Sequence, residues 1–256
     1  MDECIGSVMP LYSFVSIIPK ITKDDNVTIA LMQTLFHSEL ENRTWLIRPA
    51  LLESLELVHR AYVKKQIYGA FILSNNGSKE LVNFVASFLN FCMWKLYDNK
   101  GPNSLIFKMT VCANTPARKP YGLEKNFTVV QLCLAAEGLP LCSSENDLLF
   151  FDDLLFPMSD EIKYYVQVPA YLFQTEVNDF LNAVKPIHRH FSESEWHTMV
   201  QYNRELNRRD FQRPNNTYKP YRQSLDEIMR DRMIFSNAIE TFLNKEKQGR
   251  KNRLYQ

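Results

Sequence analysis

Continuous apolar runs alternate with amphipathic segments along the first two thirds of the chain. The runs Val27–Leu35, Ile67–Leu73, Ser104–Cys112 and Asp147–Phe151 have the length of buried strands, and Ile162–Val168 is a further candidate. Strands without polar alternation are typical of a parallel sheet that is covered on both faces. The pattern therefore predicts a mostly parallel sheet at the centre of the domain.

Between these strands the apolar residues follow helical spacing. One helix is predicted after Pro49, where a missing N–H group costs nothing, and a second after Ser78, a suitable N-cap. A third helix, with Val129 and Cys133 on its apolar face, ends at Gly138. The alternation of strands and helices predicts an α/β fold, Rossmann-like, with right-handed crossovers.

The last third of the chain has a different pattern. Ser192-x-x-Glu195 and Ser224-x-x-Glu227 are capping boxes, and each one predicts the start of a helix. The second box precedes an apolar stripe formed by Leu225, Ile228, Met229, Met233, Phe235, Ile239 and Phe242. We therefore divide the chain into an N-terminal segment 1–26, an α/β domain 27–174, and a helical C-terminal appendage 175–256 without a core of its own.

Composition excludes several classes of protein. Only 7 of the 256 residues are glycine, and neither the dinucleotide-binding nor the P-loop motif occurs. The five cysteines form no CxxC pair, which indicates reduced thiols in an intracellular protein of the cytoplasm or nucleus. No apolar run has the length of a membrane span, and the N-terminal residues do not resemble a signal peptide.

Charge is distributed unevenly, although the net charge is only +1. From Gln201 to the end there are 13 Lys and Arg residues against 7 Asp and Glu residues. This basic C-terminus is either a solvated helical surface or a site for an acidic protein or nucleic acid. In the second case Tyr218, Tyr221 and Tyr255 are candidates for stacking on bases.

Candidate chemistry lies where the predicted strands end, because open parallel sheets bind ligands at their carboxyl edge. The candidate residues there are Ala30, Met32, Thr34, Ser74, Asn75, Arg118, Lys119, Asp152 and Asp153.

In this order the residues resemble the haloacid-dehalogenase superfamily, and within it the NLI-interacting-factor-like branch that includes phosphatases of the RNA polymerase II C-terminal repeat. The first strand of that branch ends Asp-Leu-Asp-x-Thr-Leu-x-His, and residues 30–37 of this chain lie on the same frame. Arg48-Pro49 matches a further motif, Ser74 the hydroxyl motif, Lys119 or Lys125 the lysine motif, and Asp152-Asp153 the final acidic motif. The resemblance covers roughly residues 27–169, and similar proteins are encoded by large DNA viruses such as iridoviruses.

The resemblance implies a phosphatase that has lost its catalytic groups. In the family the first aspartate is the nucleophile, the second is the general acid and base, and acidic residues hold Mg²⁺. Ala30 and Met32 occupy the two aspartate positions here, so we expect no catalytic residue and no cofactor. Thr34, Ser74, Asn75 and Lys119 remain as candidates for a vestigial anion site, and Asp152 and Asp153 as candidates for a vestigial metal site. Alternatively, these side chains form turns, cap helices or, for the aspartates, pair with Arg118 or Lys119.

Two functions follow from this resemblance. The first is a catalytically inactive protein that contacts other proteins, such as a minor capsid protein of a virion. The alternative is an active Mg²⁺-dependent protein serine/threonine phosphatase, whose nucleophile would have to come from Asp24 or Asp25. His188, His190 and His197 are too weak a pattern for a zinc site, and we expect them at the surface or at helix ends.

Overall fold

A computed structural model describes residues 9–22, 24–41, 46–97, 105–156, 158–171, 175–211 and 223–253. The chain divides into two compact units, each of which is discontinuous in sequence. A strand unit contains the described residues from Ala50 to Ala170 and from Ser224 onward. A helical unit contains those up to Pro49 and from Tyr171 to Gln223. The predicted segments 1–26, 27–174 and 175–256 were, by contrast, continuous.

Helices dominate the described residues. In chain order the helices and strands are α1 (Met9–Ile21), α2 (Asp25–Leu40), α3 (Leu51–Val63), β1 (Ala70–Leu73), α4 (Lys79–Tyr97), β2 (Phe107–Val111), α5 (Phe127–Ala136), β3 (Leu149–Asp152), α6 (Met158–Glu161), β4 (Tyr164–Gln167), α7 (Val177–Val184), α8 (Glu193–Phe211) and α9 (Leu225–Arg253). No helix among these described residues is long and apolar enough to cross a membrane.

The strands form two parallel pairs. β1 pairs with β2, with Leu73 opposite Val111, and β3 pairs with β4, with Asp152 opposite Gln167. Both pairs contribute to one apolar core with α5, and the rings of Phe71 and Phe150 lie 6.4 Å apart across it. The strand unit is thus α/β with parallel strands, and four of the five predicted strands are confirmed.

Helices on the strand unit are anchored by both polar and apolar contacts. Asn90 of α4 donates its side-chain amide to the Phe107 carbonyl and accepts from the Phe107 N–H, which attaches α4 to the start of β2. On α9, Phe235 packs with Ala50 and Val168. The C-terminal helix therefore belongs to the strand unit rather than to a separate appendage.

The predicted first strand, Val27–Leu35, is wrong, because these residues lie within α2. Asp24 caps this helix by accepting the N–H of Asn26 at 2.9 Å. The fully buried side chains of Val27, Leu31 and Leu35 recur every fourth residue, which is helical spacing. A short continuous apolar run is compatible with a buried strand as well as with a helix. Burial against neighbouring helices decides which of the two forms.

The helical unit has its own core, which the sequence did not predict. The ring of Phe14 on α1 lies 5.4 Å from that of Phe180 on α7 and 6.0 Å from that of Trp196 on α8. Asn203 of α8 donates to the Pro10 carbonyl at 2.7 Å, which fixes how α8 packs on α1. Residues 177–211 therefore pack with the N-terminal helices.

Both predicted capping boxes are confirmed. Ser192 and Glu195 exchange hydrogen bonds of 2.8 and 3.4 Å at the start of α8, and Ser224 and Glu227 exchange bonds of 2.7 and 3.3 Å at the start of α9. The apolar stripe of α9 is only partly buried. Phe235, Ile239 and Phe242 are buried, whereas Leu225, Met229 and Met233 are exposed.

Candidate functional site

The carboxyl end of β1 leads into a tightly hydrogen-bonded turn. Ser74 is buried, donates its N–H to the Val111 carbonyl at 2.8 Å, and accepts the Asn76 N–H on its hydroxyl oxygen at 3.1 Å. The side chain of Asn76 accepts the N–H of Ser78, whose hydroxyl in turn caps α4 at Leu81. The Ser74 hydroxyl thus stabilises a turn, and the adjacent Asn75 is exposed.

Arg118 connects this turn to the next loop. A short 3-10 turn, Pro116–Tyr121, carries Arg118 into the interior, where its side chain is fully buried. The guanidinium donates to the Ser74 carbonyl at 2.6 Å, to the Asn75 side-chain oxygen, and to the Leu123 carbonyl at 3.0 Å. Burial lowers the pKa of Arg118 from its ordinary value, while the nearby thiol of Cys133 opposes that shift. Its partners among the described residues are carbonyl and amide oxygens, so it acts as a structural bridge.

At the end of β3 lies a buried ion pair between Lys125 and Asp152. The second oxygen of Asp152 accepts the Leu154 N–H at 3.1 Å, and the Lys125 ammonium lies 4.9 Å from the centre of the Phe156 ring. The prediction that Asp152 pairs with Arg118 or Lys119 is wrong, because Lys125 has that role. Lys119 is exposed on the 3-10 turn.

The loop that follows β3 is held by β4. Gln167 donates to the Asp153 carbonyl at 3.2 Å, and the Tyr165 hydroxyl donates to the Leu154 carbonyl. This loop nevertheless exposes its apolar side chains, with Leu154 at 57% and Leu155 at 66% exposure. Leu123, two residues before Lys125, is 59% exposed. We call these three residues the leucine rim. They were not identified from the sequence, although leucines next to a polar motif could have been noted there as candidates for an exposed apolar site.

The structure brings together only some of the predicted site residues. Ser74, Asn75, Asp152 and Asp153 lie at the carboxyl edge of the strands, connected by the segment from Arg118 to Lys125. Three candidates lie elsewhere, since Ala30, Met32 and Thr34 are on α2 in the helical unit, and Lys119 is exposed on the 3-10 turn.

The chemistry available at this edge is limited by these pairings. The Asp152 carboxylate is shared between the Lys125 ammonium and the Leu154 N–H. Burial raises the pKa of the Cys133 thiol, which keeps it protonated and weakly nucleophilic. In the described part of the chain, no group of three or more His, Cys, Asp and Glu side chains is arranged to hold a metal ion.

The histidines make local contacts in the helical unit. The His188 ring stacks on Trp196 at 5.0 Å, and its Nε2 lies 3.2 Å from a Glu193 oxygen. His190 accepts a hydrogen bond from Arg189, and His197 is exposed on α8. These positions at the surface and near a helix start agree with the roles expected from the sequence.

Of the residues on which the predicted resemblance was based, Ser74 and Asp152-Asp153 lie at the ends of β1 and β3, and Lys125 pairs with Asp152. Comparison of the chain with models of known protein families, with curated proteins and with solved structures gives no match.

Proposed function

We propose that this chain acts by binding another protein through the carboxyl edge of its strand unit, and that it does not catalyse phosphoryl transfer. One observation carries this proposal. Lys125 and Asp152 form a buried ion pair at that edge, while the leucine rim beside the pair exposes apolar side chains to solvent.

The proposal against turnover rests on the two residues that align with the nucleophile motif of the resemblance. A phosphatase of the type that the sequence resembles needs an unpaired aspartate to attack phosphorus. The two residues aligned with that motif, Ala30 and Met32, have no carboxylate and lie on α2. Loss of a covalent nucleophile reduces turnover about 10⁶-fold in a protease where it has been measured.

The proposal for binding rests on how the leucine rim is presented. Exposed apolar patches mark interaction sites more often than single apolar residues do, and Leu154 and Leu155 are neighbours in one exposed loop. Because Tyr165 and Gln167 hold the backbone of Leu154 and Asp153, association would order few additional torsions, and the entropic cost of binding is low. The resemblance to proteins of large DNA viruses makes another virion or capsid protein the first partner to test.

The enzymatic alternative is tested with p-nitrophenyl phosphate in the presence and absence of Mg²⁺. We expect no hydrolysis above the buffer rate. Mg²⁺-dependent turnover that disappears in Asp152→Asn would refute the proposal and favour a phosphatase.

The binding proposal is tested by comparing matched variants in cross-linking experiments on the full chain in its native host. Leu154→Ser/Leu155→Ser removes the rim, whereas Leu141→Ser/Leu225→Ser removes two other exposed leucines from the same unit. We expect a partner that is lost with the first variant and retained with the second. Equal loss, or no loss with either, would contradict a role for the rim.

A further inference from the structure

Three lysines and a tyrosine form one exposed surface at the amino-terminal edge of the strands, opposite the leucine rim. Lys64, Lys65 and Tyr68 lie in the turn from α3 to β1, and Lys108 lies on β2. All four are exposed, with Tyr68 at 80%. We call them the lysine–tyrosine surface.

Two contacts show that this turn and β2 are adjacent. The Lys108 ammonium lies 4.7 Å from the ring centre of Tyr62, at the end of α3. A Cβ atom on Gly69 would come within 2.8 Å of Lys108 Cγ, so the turn passes directly over the stem of Lys108. The turn and Lys108 therefore present their charges together.

The charges of Lys64 and Lys108 are not neutralised by a carboxylate in the described part of the chain. No carboxylate pairs with Lys64 or Lys108 within the described ranges, and the segments 61–73 and 105–113 contain no Asp or Glu. The acidic residue nearest in sequence, Glu56, is engaged by Arg60 at 2.7 Å. Lys64 and Lys108 are thus available to an anionic ligand.

The backbone at Lys65 adds a second, independent feature. The N–H of Lys65 bonds to the Tyr62 carbonyl and that of Gln66 to the Ala61 carbonyl, both at 2.9 Å, which is a Schellman ending for α3. Lys65 takes the left-handed position of that motif with φ of 55°, where glycine is the more stable residue. The motif fixes the direction in which the chain leaves α3 towards β1.

Helix α9 extends towards the same edge. Its residue Phe235 packs near Val168, just beyond the end of β4, and Phe242 lies 5.3 Å from Tyr164, at the start of β4. The helix therefore runs from the carboxyl edge to the amino-terminal edge of the strands and continues to Arg253.

We propose that the lysine–tyrosine surface binds single-stranded nucleic acid. Ammonium groups on one surface match the repeated phosphates of a strand, and an exposed tyrosine ring offers a platform for one unpaired base. A duplex buries the faces of its bases and would use only the charges. This inference is independent of the protein-binding proposal, because the two surfaces occupy opposite edges of the strand unit.

The test uses the full chain and a fluorescein-labelled 20-nucleotide oligothymidylate, followed by fluorescence anisotropy between 50 and 200 mM salt. Lys64→Gln/Lys108→Gln removes two charges from the surface, and Lys79→Gln/Lys119→Gln removes two exposed lysines towards the carboxyl edge. Each phosphate contact on a single strand contributes about 0.7 to the slope of log K against log salt, so the first variant is expected to reduce that slope by about 1.4. The control is expected to retain it.

The tyrosine is tested separately from the charges. Tyr68→Ala is expected to weaken binding about 5- to 100-fold, whereas Tyr68→Phe retains the ring and is expected to bind like the native chain. Four results would each overturn the inference: no binding at 50 mM salt, equal effects of the two double variants, equal affinity for a duplex of the same length, or binding only to vesicles that contain phosphatidylserine.

Discussion

The buried pair Lys125–Asp152 gives the sharpest test of how the carboxyl edge is built. We consider Lys125→Met, Asp152→Asn and the combination of both. Methionine keeps the apolar stem beside Phe156, and asparagine keeps an oxygen for the Leu154 N–H, so each substitution removes mainly the charge.

Breaking a buried pair by removing one partner costs about 3–5 kcal/mol, because the other charge stays buried without compensation. Replacing both partners by neutral residues of similar volume costs far less, so the two effects should not add. For a chain of this length, 3–5 kcal/mol corresponds to a fall in Tm of about 6–20 °C. We expect the Tm of each single variant to fall by an amount in this range. The Tm of the double variant should lie well above the Tm of either single variant.

Hydrogen exchange measured by mass spectrometry assigns the loss to the strand unit. Peptides from β3 and α4 should lose protection in the single variants, whereas those from α1 and α8 should not. The control is Glu56→Gln, which breaks the exposed pair with Arg60 and is expected to cost no more than about 0.5 kcal/mol. Single variants as mild as this control, or strictly additive effects, would show that Lys125 and Asp152 do not form a desolvated pair.

Three further predictions concern backbone, pH and the aligned first motif. Lys65→Gly should raise the free energy of unfolding by about 1 kcal/mol and Gly138→Ala should lower it by a similar amount, because both residues hold positive φ at helix ends; urea denaturation measures both. Burial raises the pKa of Glu39 to about 7 from its ordinary 4.5, with backbone hydrogen bonds opposing the shift. The folded state therefore holds this proton more tightly, stability should decline as pH rises from about 4.5 to 7, and Glu39→Gln should flatten the decline in thermal melts. Ala30→Asp/Met32→Asp should produce neither Mg²⁺ binding nor phosphatase activity, because both positions lie on a helix; gain of either in calorimetry or turnover would contradict the assignment of α2.

Strand prediction succeeded where turn residues limited an apolar run. The run that ends at Leu73 is followed by Ser74 and Gly77, and the run before Asp152 follows a polar segment, so both could be read only as short buried strands. The run Val27–Leu35 lacks such a limit, since polar residues at its end are as compatible with a helix that continues. Which of the two periods is realised depends on the helices that cover Val27 and Leu31, and that information is not local in sequence.

The candidate site was likewise predicted only in part. A strand end places Ser74 and Asp152 at one edge whatever the rest of the chain does, and both were found from the sequence. Their partners were not, because Arg118 reaches Ser74 across 44 residues and Lys125 reaches Asp152 across 27. Among the neighbouring basic residues, only packing decides which one enters the interior, and a charge count treats Lys119 and Lys125 alike.

The two edges of the strand unit differ in how their charges are used, and this difference supports different ligands for each. At the carboxyl edge Lys125 and Asp152 are desolvated and paired, so their fields cancel, and the leucine rim is exposed beside them. At the amino-terminal edge Lys64 and Lys108 remain in solvent without a carboxylate partner in the described segments, so their fields extend over about a Debye length and attract anions. An apolar rim gains affinity by removing water from carbon, whereas a cationic surface gains it by releasing counterions from a polyanion. High salt should therefore weaken the proposed binding of nucleic acid at the second edge and leave the proposed binding of protein at the first nearly unchanged.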